Sequence, residues 1–262
     1  MPTFNHGKNA VVLLDNTNLS TTLTDAALSL TADVAETSTF SSSSKTYVAG
    51  LKDGTVTLSG YFESTDPDAD AEFLSQLGGS GAAFSIAPIG YTRGNAVSFG
   101  NTISTSYDRS ADVGSVVAVA VAFQFDGDAY NGKSLLTPTA VTSSSNEATV
   151  DFGAAGTNGG AGVLHCTVSS GSPTLDVKIQ TSTDGAVWSD YITFTQATGT
   201  TSELLTSASN PNRYARAVLT FGGTGSITAA VMLPDPPKVR TALAYLAGLV
   251  SLVFNSDVVP VA

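Results

Sequence analysis

The residues able to do chemistry in this chain are few. His6 and His165 are its only histidines and Cys166 its only cysteine. Adjacent His165 and Cys166 invite an imidazole–thiol pair for nucleophilic catalysis. Neighbours on a strand point to opposite faces, however, so the ring cannot take the thiol proton. Metal centres built from His and Cys need more of both than this chain owns. The run Asp66-Pro67-Asp68-Ala69-Asp70 opens like a calcium loop, but that loop wants Gly at its sixth position and Glu at its twelfth, where Ala71 and Leu77 stand. Gly156 to Gly162 is glycine-rich without the lysine–serine pair or the strand-turn-helix setting of a phosphate loop. The 22 carboxylates would allow a glycosidase-like pair by proximity, yet no spacing selects one. The residues predict no catalytic centre, no metal and no cofactor, and hence no enzyme.

Two features remain for binding. An exposed indole is a favoured platform for a sugar face, which makes Trp188, with Tyr191 close behind it, a candidate glycan contact. A lone tryptophan in a β-sandwich more often fills the core, and the residue types alone allow both. Arg213 and Arg216 lie three apart, point to opposite faces of a strand and cannot form one anion clamp.

The elements that must carry these residues read as strands. Thr55 to Phe62 puts Val56, Leu58 and Phe62 on one face and Thr55, Thr57, Ser59 and Tyr61 on the other. From Val116 to Phe125, large residues (Val117, Val119, Val121, Phe123, Phe125) face one side and mostly small ones the other. That pattern predicts a central strand whose small face is closely packed. Asn9–Leu14, Ala26–Asp33, Ala82–Ala87 and Ala96–Tyr107 are further strands. Between Phe62 and Ala82 lies one short amphipathic helix. Asp66 is its N-cap, Pro67 its first position, and Gly78-Gly79 its end; Phe73, Leu74 and Leu77 fall on one side.

Asp128 to Asn146 is rich in Ser, Thr, Gly and Pro and reads as a linker over 129–146. A second strand set follows at 163–168, 175–180, 188–194, 214–221 and 226–233, with a turn at Ser182-Thr183-Asp184-Gly185. The spacing suits a second β-sandwich over 147–236. Residues 237–262 form an apolar C-terminal segment with helical spacing at Leu243, Leu246, Val250 and Phe254. Its longest apolar run, about 14 residues, falls short of the roughly 20 needed to cross a bilayer, so no membrane insertion is expected. Met1 to Lys8 is polar and Ala10–Leu14 short, so no secretory leader is expected.

Composition agrees with this class. Ser and Thr supply 66 of 262 residues, charged residues only 13%, and mean hydropathy is +0.16, which excludes a coiled coil and a disordered tail. Net charge is −11, and it is uneven: residues 1–128 hold 14 acids and 5 bases. No basic footprint exists for gripping nucleic acid.

Asp33 to Asp53 is the odd segment, more than twenty residues of Ser, Thr and paired charges with too little apolar surface to bury a face alone. Such a stretch is either a loop or an arm that pairs with another copy. Thr31-Ala-Asp-Val-Ala-Glu-Thr-Ser-Thr-Phe, then Lys45-Thr-Tyr-Val-Ala-Gly-Leu-Lys-Asp-Gly-Thr-Val-Thr-Leu-Ser-Gly-Tyr-Phe, the acidic helix ending in Leu77-Gly78, Ser106-Tyr107, Val113-Gly114 and Phe123-Gln124-Phe125-Asp126-Gly127 together resemble the major tail tube proteins of long-tailed bacteriophages, over roughly residues 1–128. The second strand set resembles, more loosely, sandwich modules appended to some phage tail proteins.

The resemblance implies a mainly β chain: a tail-tube-type β-sandwich or barrel with one short helix over 1–128, plus an immunoglobulin-like or jelly-roll-like β-sandwich. It implies a virion protein assembled in the host cytoplasm, forming stacked hexameric rings whose sheets join edge to edge. Double-stranded DNA would pass through without specific binding, and a tape measure protein and a tail terminator would be partners. The inter-subunit arm would use Asp33, Glu36, Phe40, Lys45, Tyr47, Lys52 and Asp53. The alternative reading is a two-domain β surface adhesin with a weak host-surface glycan site at Trp188 and Tyr191.

Overall fold

The structure is a computed structural model that describes residues 5–63, 67–79 and 81–236; the helix N-cap expected at Asp66 and the apolar segment 237–262 lie outside them. The described residues are mainly β with a single α-helix. Short strands β1 (Val11–Leu14) and β2 (Thr17–Asn18) form a hairpin around Asp15, whose φ is 49°. The long strands β3 (Leu23–Glu36) and β4 (Tyr47–Tyr61) form a second hairpin. Helix α1 (Pro67–Gln76) follows, and Gly78, at φ 68°, turns the chain out of it while its N–H donates to the Ser104 carbonyl at 3.1 Å. Strands β5 (Ala82–Ala87), β6 (Ala96–Ser110) and β7 (Ala118–Phe125) complete the first half.

Residues 129–146, expected as a linker, are not one. Tyr130–Val141 is β8 and Ser145–Asn146 is β9. Composition misled here because Ser and Thr suit a strand as well as a loop, and β8 has a partner strand on each side. Its first residues pair with β6 (Phe99 with Tyr130, Ala96 with Lys133), and Gly132 to Val141 pair with the last strand of the chain.

After β10 (Val150–Asp151) come β11 (Gly160–Ser182), β12 (Ser189–Thr193), β13 (Thr201–Ser207) and β14 (Tyr214–Pro234). The strands expected at 163–168 and 175–180 are one strand, as are those at 214–221 and 226–233. Glycine reads as a break in the sequence; here Gly171, Gly223 and Gly225 sit at φ 79° to 100° and keep β11 and β14 paired from Val163–Met232 to Ser182–Tyr214. A Cβ at Gly225 would lie 1.8 Å from the Ser170 carbonyl, so only glycine lets the two backbones run this close.

All fourteen strands belong to one hydrogen-bonded sheet, which folds over three apolar clusters. The first lies between the β3–β4–β7–β6 sheet, α1 and the β1–β5 pair, with Val56, Leu58, Phe73, Phe84 and Phe123 at its centre. The third fills the C-terminal half, with Leu164, Val177, Ile179, Leu219 and Val231. A seam lies between them: Leu13, Ala83, Ala87 and Phe99 from the first half meet Ala161, Val163, Ala230 and Met232 from the second. Strand β5 is therefore buried on both faces, Phe84 and Ile86 to one side and Ala83 and Ala87 to the other.

Where β8 bridges the halves the backbones also run close. A Cβ on Gly132 would fall 2.0 Å from the Leu233 carbonyl oxygen, a backbone atom that cannot yield. Gly132→Ala is expected to destabilise the protein by about 1–3 kcal/mol, read from the midpoint of urea unfolding. Gly199→Ala, which meets nothing within 4 Å, is expected to leave that midpoint in place.

Candidate assembly surface

Four strands form the side of the first half that faces away from the rest of the molecule, in the order β3–β4–β7–β6. Their register builds rows across the sheet. Leu28, Val56, Phe123 and Ser104 form a row on the inner face, beneath α1, as do Ala26, Leu58, Val121 and Tyr107. Phe73 of α1 is 2% exposed and lies with its ring centroid 6.0 Å from Tyr107 and 6.4 Å from Phe123. Asp70 of α1 takes hydrogen bonds from Tyr107 and Arg109, so the acidic run that resembled a calcium loop fastens the helix to β6. Arg109 also lies 4.9 Å above the Phe62 ring.

The outer rows are Asp25, Ser59, Ala120 and Asp108, and beside it Ala27, Thr57, Ala122 and Ser106. This face holds small and hydroxyl side chains with Asp25, Asp33, Asp53 and Asp108, and no lysine or arginine. The close packing expected on the small face of β7 is absent among the described residues: Ala120 is exposed and Ala122 half-exposed. Small residues on a central strand leave room above the sheet, and nothing in the described chain fills it.

Both outer edges of this sheet lack a described strand partner. Strand β3 pairs with β4 alone, and β6 beyond Ser104 pairs with β7 alone. Because the four strands alternate in direction, these two edges run antiparallel to each other. Backbone N–H and C=O groups along them are templates for a further strand.

The segment expected as an arm is the far end of the β3–β4 hairpin. Beyond Leu30–Gly54 the two strands continue past the body, with a bulge near Gly50, whose Cβ would lie 3.0 Å from that of Asp33. At the tip Lys45 Nζ meets Glu36 Oε2 at 2.9 Å, Thr37 N–H donates to the Thr46 carbonyl at 2.8 Å, and Thr39 N–H donates to Ser42 Oγ at 3.0 Å. Phe40 stands fully exposed on this tip, and Tyr47, opposite Glu36 in register, is about half-exposed. Asp33 and Lys52 lie exposed along the shaft. Asp53, at its root, accepts from the Gly54 N–H at 2.7 Å and from the Gln124 amide. The structure thus groups Glu36, Phe40, Lys45 and Tyr47 at the tip and separates Lys52 and Asp53 from them.

Sequence reasoning missed the apolar side chains of the shaft. Leu30, Val34, Val48 and Leu51 are all exposed. Leu30 and Val34 continue the inner face begun by Leu28, so the apolar side of the sheet runs on past its own core. The signal was there as alternation from Leu28 to Val34, hidden by the polar residues between.

Trp188 does not fill the core, as a lone sandwich tryptophan more often does. It is half-buried outside the core, and the Arg216 guanidinium lies 4.3 Å over its ring. Arg216 also donates to Gln180 Oε1 at 2.8 Å, whose amide donates to Asp190, which in turn takes Lys178 at 2.7 Å. Tyr191 packs against the C-terminal core and donates to the Ser209 carbonyl at 3.1 Å, so the two aromatic residues are held by different partners. Arg213 grips Asp151 with two hydrogen bonds of 2.8 and 2.7 Å; with the Gly153 N–H it holds that carboxyl at about 2, below the usual range. Asp184 accepts from the Ala186 and Val187 N–H groups and closes the expected turn.

His165 and Cys166 do point apart. Cys166 enters the C-terminal core, where burial pushes its thiol up to about 12. His165 enters the seam, where its Nε2 lies 2.9 Å from Ser85 Oγ and its Nδ1 2.7 Å from the Asp15 carbonyl. A serine–histidine contact would suit a nucleophile, but both side chains are fully buried, so a substrate carbonyl has no approach to Ser85.

No family model and no curated protein matches this chain. Solved structures do resemble it. The virion of a native gene transfer agent particle contains a chain at 17% identity and TM-score 0.40, covering 48% of this chain and 97% of its own. The SPP1 tail tube matches at 12% identity and TM-score 0.39, over 48% of this chain and 77% of its own. The SPP1 Dit protein, a paradigm of hub adsorption apparatus in phages that infect Gram-positive hosts, matches at 10% identity and TM-score 0.34, over 86% of this chain and 98% of its own.

Trp188 is the sole tryptophan, which makes the Arg216 contact directly measurable. Arg216→Ala is expected to shift intrinsic fluorescence to longer wavelength as water replaces the guanidinium over the ring, with the unfolding midpoint little changed. An unshifted spectrum would mean that the stack does not exist in solution.

Proposed function

We propose that this chain is a structural phage-tail subunit that assembles with copies of itself into a hollow tube. The observation that carries the reading is the β3–β4–β7–β6 sheet: two unpaired, oppositely directed edges and one uncovered face bearing acids but no bases. Joining the β3 edge of one copy to the β6 edge of the next continues the antiparallel alternation. Closing a ring of copies removes every such edge. The sequence resemblance supports six copies per ring and stacking of rings, a heterologous contact that propagates along one axis.

In such a ring the base-free face lines the lumen. DNA carries about one negative charge per 1.7 Å, and a basic wall would hold it by releasing its counterions. A wall of Asp25, Asp53 and Asp108 among Ala, Ser and Thr gives the duplex no grip, so it slides. The arm, with Leu30, Val34 and Tyr47 uncovered, reaches a neighbouring subunit or ring. The C-terminal half, residues 147–236, then lies outside the tube as a decorating part. A tape measure protein within and a terminator at the end are the partners this role requires. The adhesin alternative has no comparable support, since the Trp188 ring already carries Arg216.

Negative-stain microscopy and sedimentation of the purified chain test the reading: rings or tubes are expected, and single chains at high concentration would sink it. Deleting Ser41–Thr46 leaves Thr37 to Phe40 as the hairpin turn, so polymer is expected to disappear with circular dichroism unchanged. Tubes carrying Asp25→Lys with Asp108→Lys are expected to retain DNA fragments at low salt and release them as salt rises, whereas wild-type tubes retain none.

A further inference from the structure

The polar centre of the seam is a directed chain of hydrogen bonds. The Asp15 carbonyl can only accept, so the proton of neutral His165 sits on Nδ1. Nε2 must then accept, and Ser85 O–H donates to it at 2.9 Å. Tyr91 O–H in turn donates to Ser85 Oγ at 2.7 Å. Each hydroxyl and ring nitrogen has its partner, and Tyr91, Ser85 and His165 are all buried among Ala83, Ala161, Val163, Ala230 and Met232.

These groups come from both halves of the chain: Asp15, Ser85 and Tyr91 from the first, His165 from β11. Beyond the seam the halves are tied by the short pairing of β8 with β6, by the Arg93–Glu147 ion pair at 3.4 Å, by the Asn16 amide, which donates to Thr200 Oγ1 at 3.3 Å, and by Ser202 of β13, which donates to the Asp15 carboxylate. Each half keeps a separate apolar core of its own. We propose that the Tyr91–Ser85–His165–Asp15 chain is an acid-sensitive latch: protonation of His165 opens the seam and lets the C-terminal half move on β8 while both flanking cores stay closed.

The chemistry follows from the direction of the bonds. A proton added at Nε2 turns that acceptor into a donor aimed at Ser85 Oγ, which already receives the Tyr91 proton. The Ser85 proton then has no acceptor, and a cation is left in an apolar seam. The charged or titratable groups facing His165 are Asp15 from the β1–β2 turn and Tyr91 from the loop after β5. In β13 its register partner is Ser202; the next residue, Glu203, is engaged by Thr195. Strand β14 presents Ala230 and β5 presents Ser85. The Asp15 charge favours the imidazolium, but burial outweighs it and pushes His165 down to about 4 from 6.5. The closed seam therefore excludes a proton that the open seam binds at the ordinary imidazole pKa. Closure is complete above about 6.5 and weakens as pH falls toward 4, by about tenfold in its equilibrium constant per pH unit.

The latch acts within one chain and does not rest on the assembly reading. Hydroxyl-radical footprinting of the full chain from pH 7 to pH 4 tests it. Met232 and Tyr91 in the seam are expected to gain labelling steeply below about pH 6, while Phe123 and Phe194 in the flanking cores stay protected. In His165→Gln the amide supplies an acceptor for Ser85 and a donor for Asp15 without titrating, so Met232 should stay protected throughout. Protection of Met232 down to pH 4, simultaneous labelling of all four residues, or an unaltered acid response in His165→Gln each overturns the latch. Should His165→Gln not fold, ring titration of His165 in the wild-type chain by NMR replaces it. Its protonation must coincide with Met232 labelling, and separation of the two events overturns the proposal equally.

Discussion

A strand buried on both faces has no water to satisfy what it carries, and two strands of this protein meet in that condition. β5 and the first part of β11 face each other across the seam, where alanines and valines allow close approach and His165 is the one large polar side chain. The seam holds because every hydrogen-bonding group of Tyr91, Ser85 and His165 finds a partner there. It sets how the C-terminal half sits on the first half, and so which surfaces of the first half remain open. Had β5 been solvated on one face, the β3–β4–β7–β6 sheet would be free to pack differently.

What is left open has a consistent chemical character. The inner face of that sheet is closed by α1 and the β1–β5 pair, leaving the outer face with short side chains and carboxylates. Its two edges end in unpaired backbone, and its hairpin extends an apolar stripe beyond the body. Soluble monomers usually protect such edges and stripes with charges, prolines or covering segments. Here the charge lies on the face, and the paired charges of the arm, Glu36 and Lys45, neutralise each other at the tip. A surface of this kind leaves backbone and apolar groups without partners among the described residues.

Much of this was legible residue by residue. The alternation at 55–62 and 116–125 placed Val56, Leu58, Val121 and Phe123 inward, and Pro67 with Gly78 bounded the helix. These are local signals, because a period of two and a fixed φ act within a few residues. The linker at 129–146 was misread because strand and loop share Ser, Thr and Gly, and only the partners on either side decide between them. β11 and β14 were each split in two for the same reason: Gly171 and Gly225 mark a turn when alone and a close pairing when two strands carry them opposite one another. Within the candidate site, the arm was visible as a polar excess, whereas its apolar stripe was not, since Leu30 and Val34 look like core residues until the strand is seen to outrun its core.

Taken alone, the sequence determined that the chain is β-rich and acidic in its first half, that one helix lies between Phe62 and Ala82, and that Asp33–Asp53 cannot bury a face by itself. Composition and short-range periodicity carry those facts, and they survive any arrangement of the strands. Only the tertiary structure decided that Ser85, Tyr91 and His165 meet, that Arg216 covers Trp188, and that the small face of β7 stays uncovered. Each of these depends on which strands become neighbours over separations of tens of residues, and pairing at that range is chosen by the packing of the whole chain rather than by any segment within it.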